Sequence, residues 1–127
     1  GHRVVVVTSV PTNGWHPIKR LNKVLLGSTH YDTAYIRKKM AVPRKSIEKR
    51  QFITNAITNQ AQDQFPTVEF IDSSEILCDA EFCHAIANNG DILYSDRDHL
   101  SLAGAELIFS SIKKSIFKSR CYDVYCE

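Results

Sequence analysis

Asp96 and His99 stand three positions apart in the stretch Tyr94-Ser95-Asp96-Arg97-Asp98-His99-Leu100-Ser101. On a turn that opens a helix, this spacing sets a carboxylate against one imidazole nitrogen and leaves the other facing a cleft. That is the acid–base half of a hydrolase-type triad. The carboxylate fixes the tautomer and stabilises the imidazolium, while the outer nitrogen moves a proton between a nucleophile and a leaving or accepting oxygen. A plainer alternative uses the same residues as turn chemistry, with Asp98 or Ser101 capping a helix from Leu102 and His99 as a packed or surface histidine. Asp98 is also the reserve orienting carboxylate, although its adjacent position gives it a poorer reach back to the ring.

No nucleophile accompanies the pair. Leu25-Leu26-Gly27-Ser28-Thr29-His30 invites a reading as a nucleophile elbow. No firm strand precedes Ser28, no second glycine follows it two residues later and no acidic residue adjoins it, so Ser28 reads as a loop serine.

The elements that must position the pair come from the rest of the chain. With 127 residues, of which 43% are hydrophobic and 24% charged, the chain has the balance of one globular domain, residues 1–127. A formal net charge of +2, with its basic residues scattered, gives no footprint for nucleic acid. No apolar run approaches the roughly eighteen residues needed to span a bilayer, and no signal-type segment opens the chain. Gly1-His2 reads as the remnant of a tag on a piece of a longer polypeptide.

Arg3 to Val10 is a β-branched run without alternation, the pattern of a parallel strand covered on both faces. Pro11-Thr12-Asn13-Gly14 ends it. In a parallel sheet the loop at a strand's carboxyl end borders the ligand crevice, which makes Asn13, Trp15 and His16 possible site neighbours; turn chemistry is the alternative for each. Ile18 to Met40 is basic and shows no clean period. Pro43 suits a first helical turn, and Ile47, Ile53, Ala56, Ile57 and Ala61 form a stripe up to Phe65-Pro66, predicting one helix that covers the sheet. Thr67 to Asp72 reads as a second strand, parallel to the first through a right-handed crossover. Asn88-Asn89-Gly90-Asp91 is a turn with a left-handed position at Gly90. From Leu102, the residues Ala105, Ile108, Phe109, Ile112 and Ile116 make a closing amphipathic helix.

The four cysteines form two pairs of equal spacing, Cys78 with Cys83 and Cys121 with Cys126. Two local disulfides fit an oxidising compartment. A zinc site drawn from both pairs with His84 is the competing reading, but zinc knuckles favour tighter C-x-x-C pairs with turn glycines.

Together these residues resemble the final portion of an SGNH/GDSL-type hydrolase domain, and more narrowly the SGNH domain at the C-terminus of acyltransferase-3 membrane proteins, which O-acylate bacterial surface polysaccharides. The resemblance rests on the strand ending in proline (Val4 to Pro11), V-E-F-I-D (Val68 to Asp72), L-C-D-A-E-F-C (Leu77 to Cys83), the segment Gly90 to Tyr94, and D-R-D-H-L-S-L-A-G-A (Asp96 to Ala105). Ile18 to Met40 matches least.

The resemblance implies an α/β fold, a three-layer flavodoxin-like parallel sheet with flanking helices, of which this chain carries the C-terminal part. It implies that Asp96 and His99 are the Asp and His of a Ser-His-Asp triad whose serine lies in a G-D-S motif absent here. No cofactor is expected. The expected partners are an acyl donor, a sugar hydroxyl acceptor and an N-terminal membrane domain of the same polypeptide, on the periplasmic or extracytoplasmic face of a bacterial inner membrane. A carbohydrate esterase and a non-catalytic glycan- or partner-binding module are the alternatives.

Overall fold

The computed structural model describes residues 3–29 and 31–117, with the backbone alone at 114–116. Its parallel sheet pairs β1 (Val5–Val7) with β3 (Glu69–Ile71), in the register Val5 to Glu69 and Val7 to Ile71. The bond from Thr8 N to Ile71 O, 2.9 Å, extends the ladder, and Arg3 pairs with Glu69 at its entrance. A second, antiparallel pair joins β2 (Val42–Pro43) to β4 (Phe82–Cys83).

Two helices occupy the stretch in which the sequence shows no clean period. α1 (Pro17–Leu26) starts on Pro17, whose fixed φ suits a first helical position, and turns Leu21 and Val24 toward the core. α2 (Thr33–Met40) is capped by Asp32, which accepts from Tyr35 N at 2.8 Å, and carries Arg37, Lys38 and Lys39 at its negative end. Ile36 and Met40, one turn apart, pack into the core, and Met40 is fully buried.

The helix expected from Pro43 to Phe65 is divided. α3 (Arg44–Arg50) and α4 (Phe52–Gln64) meet at Gln51, which lies in neither. Gln51 is buried and its side-chain amide donates to Val10 O at 2.9 Å, so the break spends helical geometry on a tie to the end of the β1 segment. α4 does not cover the sheet. It buries no residue, and Ile53 and Ile57 are 73% and 62% exposed. Its amide row, Asn55, Asn59 and Gln62, instead faces a polar cleft at the ends of β1 and β3, which turns the apolar row outward. Val4 and Val7, read as covered on both faces, are likewise 51% and 41% exposed, because β1 has one neighbour among the described strands.

The main core meets the sheet through Ile71 and the end of the β1 segment through Val10. Met40, Leu77 of the short helix α5 (Ser74–Leu77), Ala85, Ile86, Leu93 and Tyr94 pack against Ile108 and Ile112 of α6 (Leu102–Phe117). The periodic positions 108 and 112 of α6 reach that core as the stripe predicts, while Phe109 is exposed. Val42, Ile47 and Cys83 form a smaller cluster, and Trp15 touches both. Among the described residues, no helix is long and apolar enough to cross a membrane.

Candidate active site

The turn holding Asp96 and His99 is closed at both ends by backbone bonds. Tyr94 bridges Leu100, Ser95 N donates to His99 O at 2.9 Å, and Ser101 N donates to Leu93 O at 3.0 Å. Ser101 then caps α6, accepting from Gly104 N at 3.2 Å. The capping task thus falls to Ser101 and leaves Asp98 and His99 outside it.

Asp96 organises the turn from inside. Its Oδ1 accepts from the backbone N–H groups of Asp98, at 3.0 Å, and His99, at 2.8 Å. The His99 ring completes the set: Nδ1 lies 2.8 Å from Asp96 Oδ2 and 3.0 Å from Oδ1. Asp98 Oδ1 is farther from Nδ1, at 3.6 Å, and serves at most as a secondary charge. The backbone bonds from Asp98 and His99, then the bond from the ring, hold the Asp96 carboxyl far below the usual carboxylate range. An ionised carboxylate only accepts, so Nδ1 carries the hydrogen and donates. Nε2 is then the nitrogen left to exchange a proton. The hydrogen bond to Asp96, followed by the charges of Asp96 and Asp98, raises His99 above its ordinary value.

The His99 side chain is 76% exposed, and among the described residues no serine hydroxyl or cysteine thiol hydrogen-bonds its ring. The pair can therefore accept and return a proton at the exposed ring. Asp96, Asp98 and His99 also bring three metal-ligating side chains within 4.8 Å of one another, but they do so on an open surface and with Nδ1 committed to Asp96.

Asn13 is brought to this turn. Its backbone N–H donates to Arg97 O at 2.9 Å, while its fully buried side-chain amide has no hydrogen-bond partner among the described residues. Among the described residues no hydrogen bond or ion pair joins Trp15 or His16 to the dyad. Trp15 packs between the two core clusters with Arg20 5.3 Å over its ring, and His16, in extended conformation, immediately precedes α1 with Nδ1 buried and unpartnered among the described residues. Arg50 was not marked by the sequence. Its Nη1 donates to Thr12 O at 2.6 Å and lies against Gly14, which takes φ +77°; the Asn13-Gly14 dipeptide signals the turn but nothing local points to the arginine.

Cys78 and Cys83 form a disulfide. Both thiols are consumed, which removes the zinc reading for this pair. His84 instead places Nε2 2.8 Å from Asp79 Oδ2. Cys121 and Cys126 lie outside the described residues.

The family model described as "SGNH domain (fused to AT3 domains)" matches residues 1–114. The chain is similar in structure to the lipopolysaccharide acetyltransferase periplasmic domain of Salmonella ser. Paratyphi A, with 19% identity, a TM-score of 0.56, and coverage of 91% of this chain and 42% of that one. At that identity the likeness is one of fold, a mixed α/β arrangement with a small parallel sheet. The chain spans less than half the length of the solved domain. No curated protein sequence matches the chain.

Proposed function

This chain belongs to the SGNH domains fused to AT3 domains, and on that premise we propose that it supplies the acid–base part of an acyltransferase acting on cell-surface polysaccharide. The observation that carries the reading is the Asp96–His99 pair, with Nδ1 tied to the carboxylate and Nε2 left available.

A serine from outside this chain attacks the donor's acyl carbonyl as His99 Nε2 takes its proton. The carbon–leaving-group bond breaks, the proton passes from Nε2 to the leaving group, and an acyl-serine ester remains. A sugar hydroxyl then gives its proton to Nε2 and attacks that ester; the serine oxygen leaves and is reprotonated by Nε2. Asp96 stays ionised and orients the ring throughout. Donors for the oxyanion also come from outside the chain. The group transferred is acetyl, a choice supported by the likeness in fold to the periplasmic domain of a lipopolysaccharide acetyltransferase. The AT3 domain to which such SGNH domains are fused supplies the membrane tether and puts the site on the extracytoplasmic face. The rest of the SGNH domain covers the exposed valines of β1 and the apolar row of α4.

Product analysis tests this. The full-length polypeptide, given an acyl-labelled donor and the glycan, is expected to yield labelled polysaccharide, with little product from residues 1–127 alone. Release of free acetate from an acetylated glycan, with no label entering the acceptor, would replace transfer with hydrolysis.

A further inference from the structure

We propose a second site, a groove for an anionic sugar residue of the acceptor glycan, between α2 and the segment Phe82 to Asn89. Two cavities of about 420 and 410 Å³ share the residues Arg37, His84 and Asn88. Among the described residues neither has an acidic residue in its lining, whereas one also carries Lys38.

The chemistry of those three shared residues points to an anion. Arg37 is half-buried and its Nε donates to Ile86 O at 3.2 Å, which fixes the guanidinium against the wall. Among the described residues no carboxylate pairs with Arg37 or Lys38. A partly desolvated guanidinium without an acidic partner favours an incoming carboxylate or phosphate, and its planar fork suits two-point contact. His84 is held by Asp79 through Nε2, and its Nδ1 is buried without a partner among the described residues.

The remaining walls favour a saccharide. Phe82 presents a partly exposed ring, on which the C–H face of a pyranose can lie, and the amide of Asn88 offers both a donor and an acceptor to hydroxyls. A cavity of about 420 Å³ is of the size that holds a sugar residue or two. The assignment of the ligand to the acceptor rests on the polysaccharide reading above, but the groove is lined by none of the Asp96–His99 turn, so its occupancy is measurable without acyl transfer.

The test is calorimetric titration of the full-length polypeptide with trigalacturonate, with neutral maltotriose and with inorganic phosphate. Trigalacturonate is expected to bind and maltotriose not. Arg37→Gln and Lys38→Ala should each weaken binding roughly tenfold to a hundredfold. Lys38 is exposed, so Lys38→Ala keeps the test valid should loss of the bond to Ile86 O loosen the Arg37 variant. His99→Ala is expected to bind trigalacturonate as the parent does, whatever becomes of acyl transfer. Absence of binding, equal binding of maltotriose, or affinity unchanged in Lys38→Ala would overturn the site. Phosphate binding as tight as trigalacturonate would overturn its assignment to a sugar.

Discussion

The backbone N–H of Asn13 donates to the carbonyl of Arg97 at 2.9 Å, joining the loop after β1 to the turn that holds Asp96 and His99. The partners are far apart in sequence, and Arg97 lies between the two residues of the dyad. The carboxyl end of the parallel sheet therefore fixes the height at which the dyad stands. Gln51, which donates to Val10 O, and Arg50, which donates to Thr12 O, brace the same loop from behind.

Asp96 and Asp98 should separate cleanly on substitution. Asp96→Asn keeps the shape of the turn but no longer favours the Nδ1–H tautomer or stabilises the imidazolium, and acyl transfer by the full-length polypeptide is expected to fall about 10³- to 10⁴-fold. Asp98→Asn, whose carboxylate is 3.6 Å from the ring nitrogen, should stay within a few-fold of the parent. Equal losses in the two variants would show that the orienting role is shared.

The pH profile follows from the direction of the His99 shift. A general base acts when neutral, and the hydrogen bond to Asp96 raises His99 above its ordinary 6.5. Activity should therefore decline as pH falls through a value above 6.5, and the ring should titrate there by NMR. Asp96→Asn removes the group that raises it, so the ring titration should move to lower pH. A ring that titrates at the same pH in both proteins would contradict the pairing.

Gly104 is expected to tolerate no side chain. A Cβ there would collide with the carbonyl oxygen of Leu93 and come within 3.0 Å of the Leu100 side chain, the two segments that close the dyad's turn. Gly104→Ala should cost about 1–3 kcal/mol of stability in denaturant unfolding and lower transfer as the turn shifts from α6. Parent-like unfolding of the variant would show that α6 can move away freely.

Removing the disulfide tests how far the loop depends on it. Cys78 and Cys83 are separated by 5 positions in sequence. A loop so short restricts the unfolded chain modestly, and Cys78→Ser with Cys83→Ser is expected to lose about 2 kcal/mol in chemical denaturation. The His84–Asp79 pair is adjacent, so the His84 ring resonances should broaden or shift in the same variant.

What the sequence revealed and what it hid divide along sequence distance. The Asp96–His99 pair was legible because a turn of four residues is fixed locally. The Cys78–Cys83 bridge, Gly90 at φ +96° and the buried positions Ile108 and Ile112 were legible for the same reason. α1 and α2 were obscured by the lysines and arginines between their apolar positions, although Pro17, Gly27 and the capping Asp32 marked their ends. The break at Gln51 and the bond from Asn13 to Arg97 depend on partners far along the chain, which no local pattern encodes. The β1 valines show the limit of reading burial from hydrophobicity: the residues want cover, but cover comes from neighbours, and β1 has one among the described strands.

The most direct measurement compares the acyl-transfer rate of the full-length polypeptide with that of its His99→Ala variant, after circular dichroism has shown that both are folded. If His99 Nε2 carries the proton in both half-reactions, the rate falls by several orders of magnitude while the thermal transition stays close to the parent's, because the ring is 76% exposed. A folded His99→Ala protein that transfers acyl groups at near the parental rate would contradict the role given to His99.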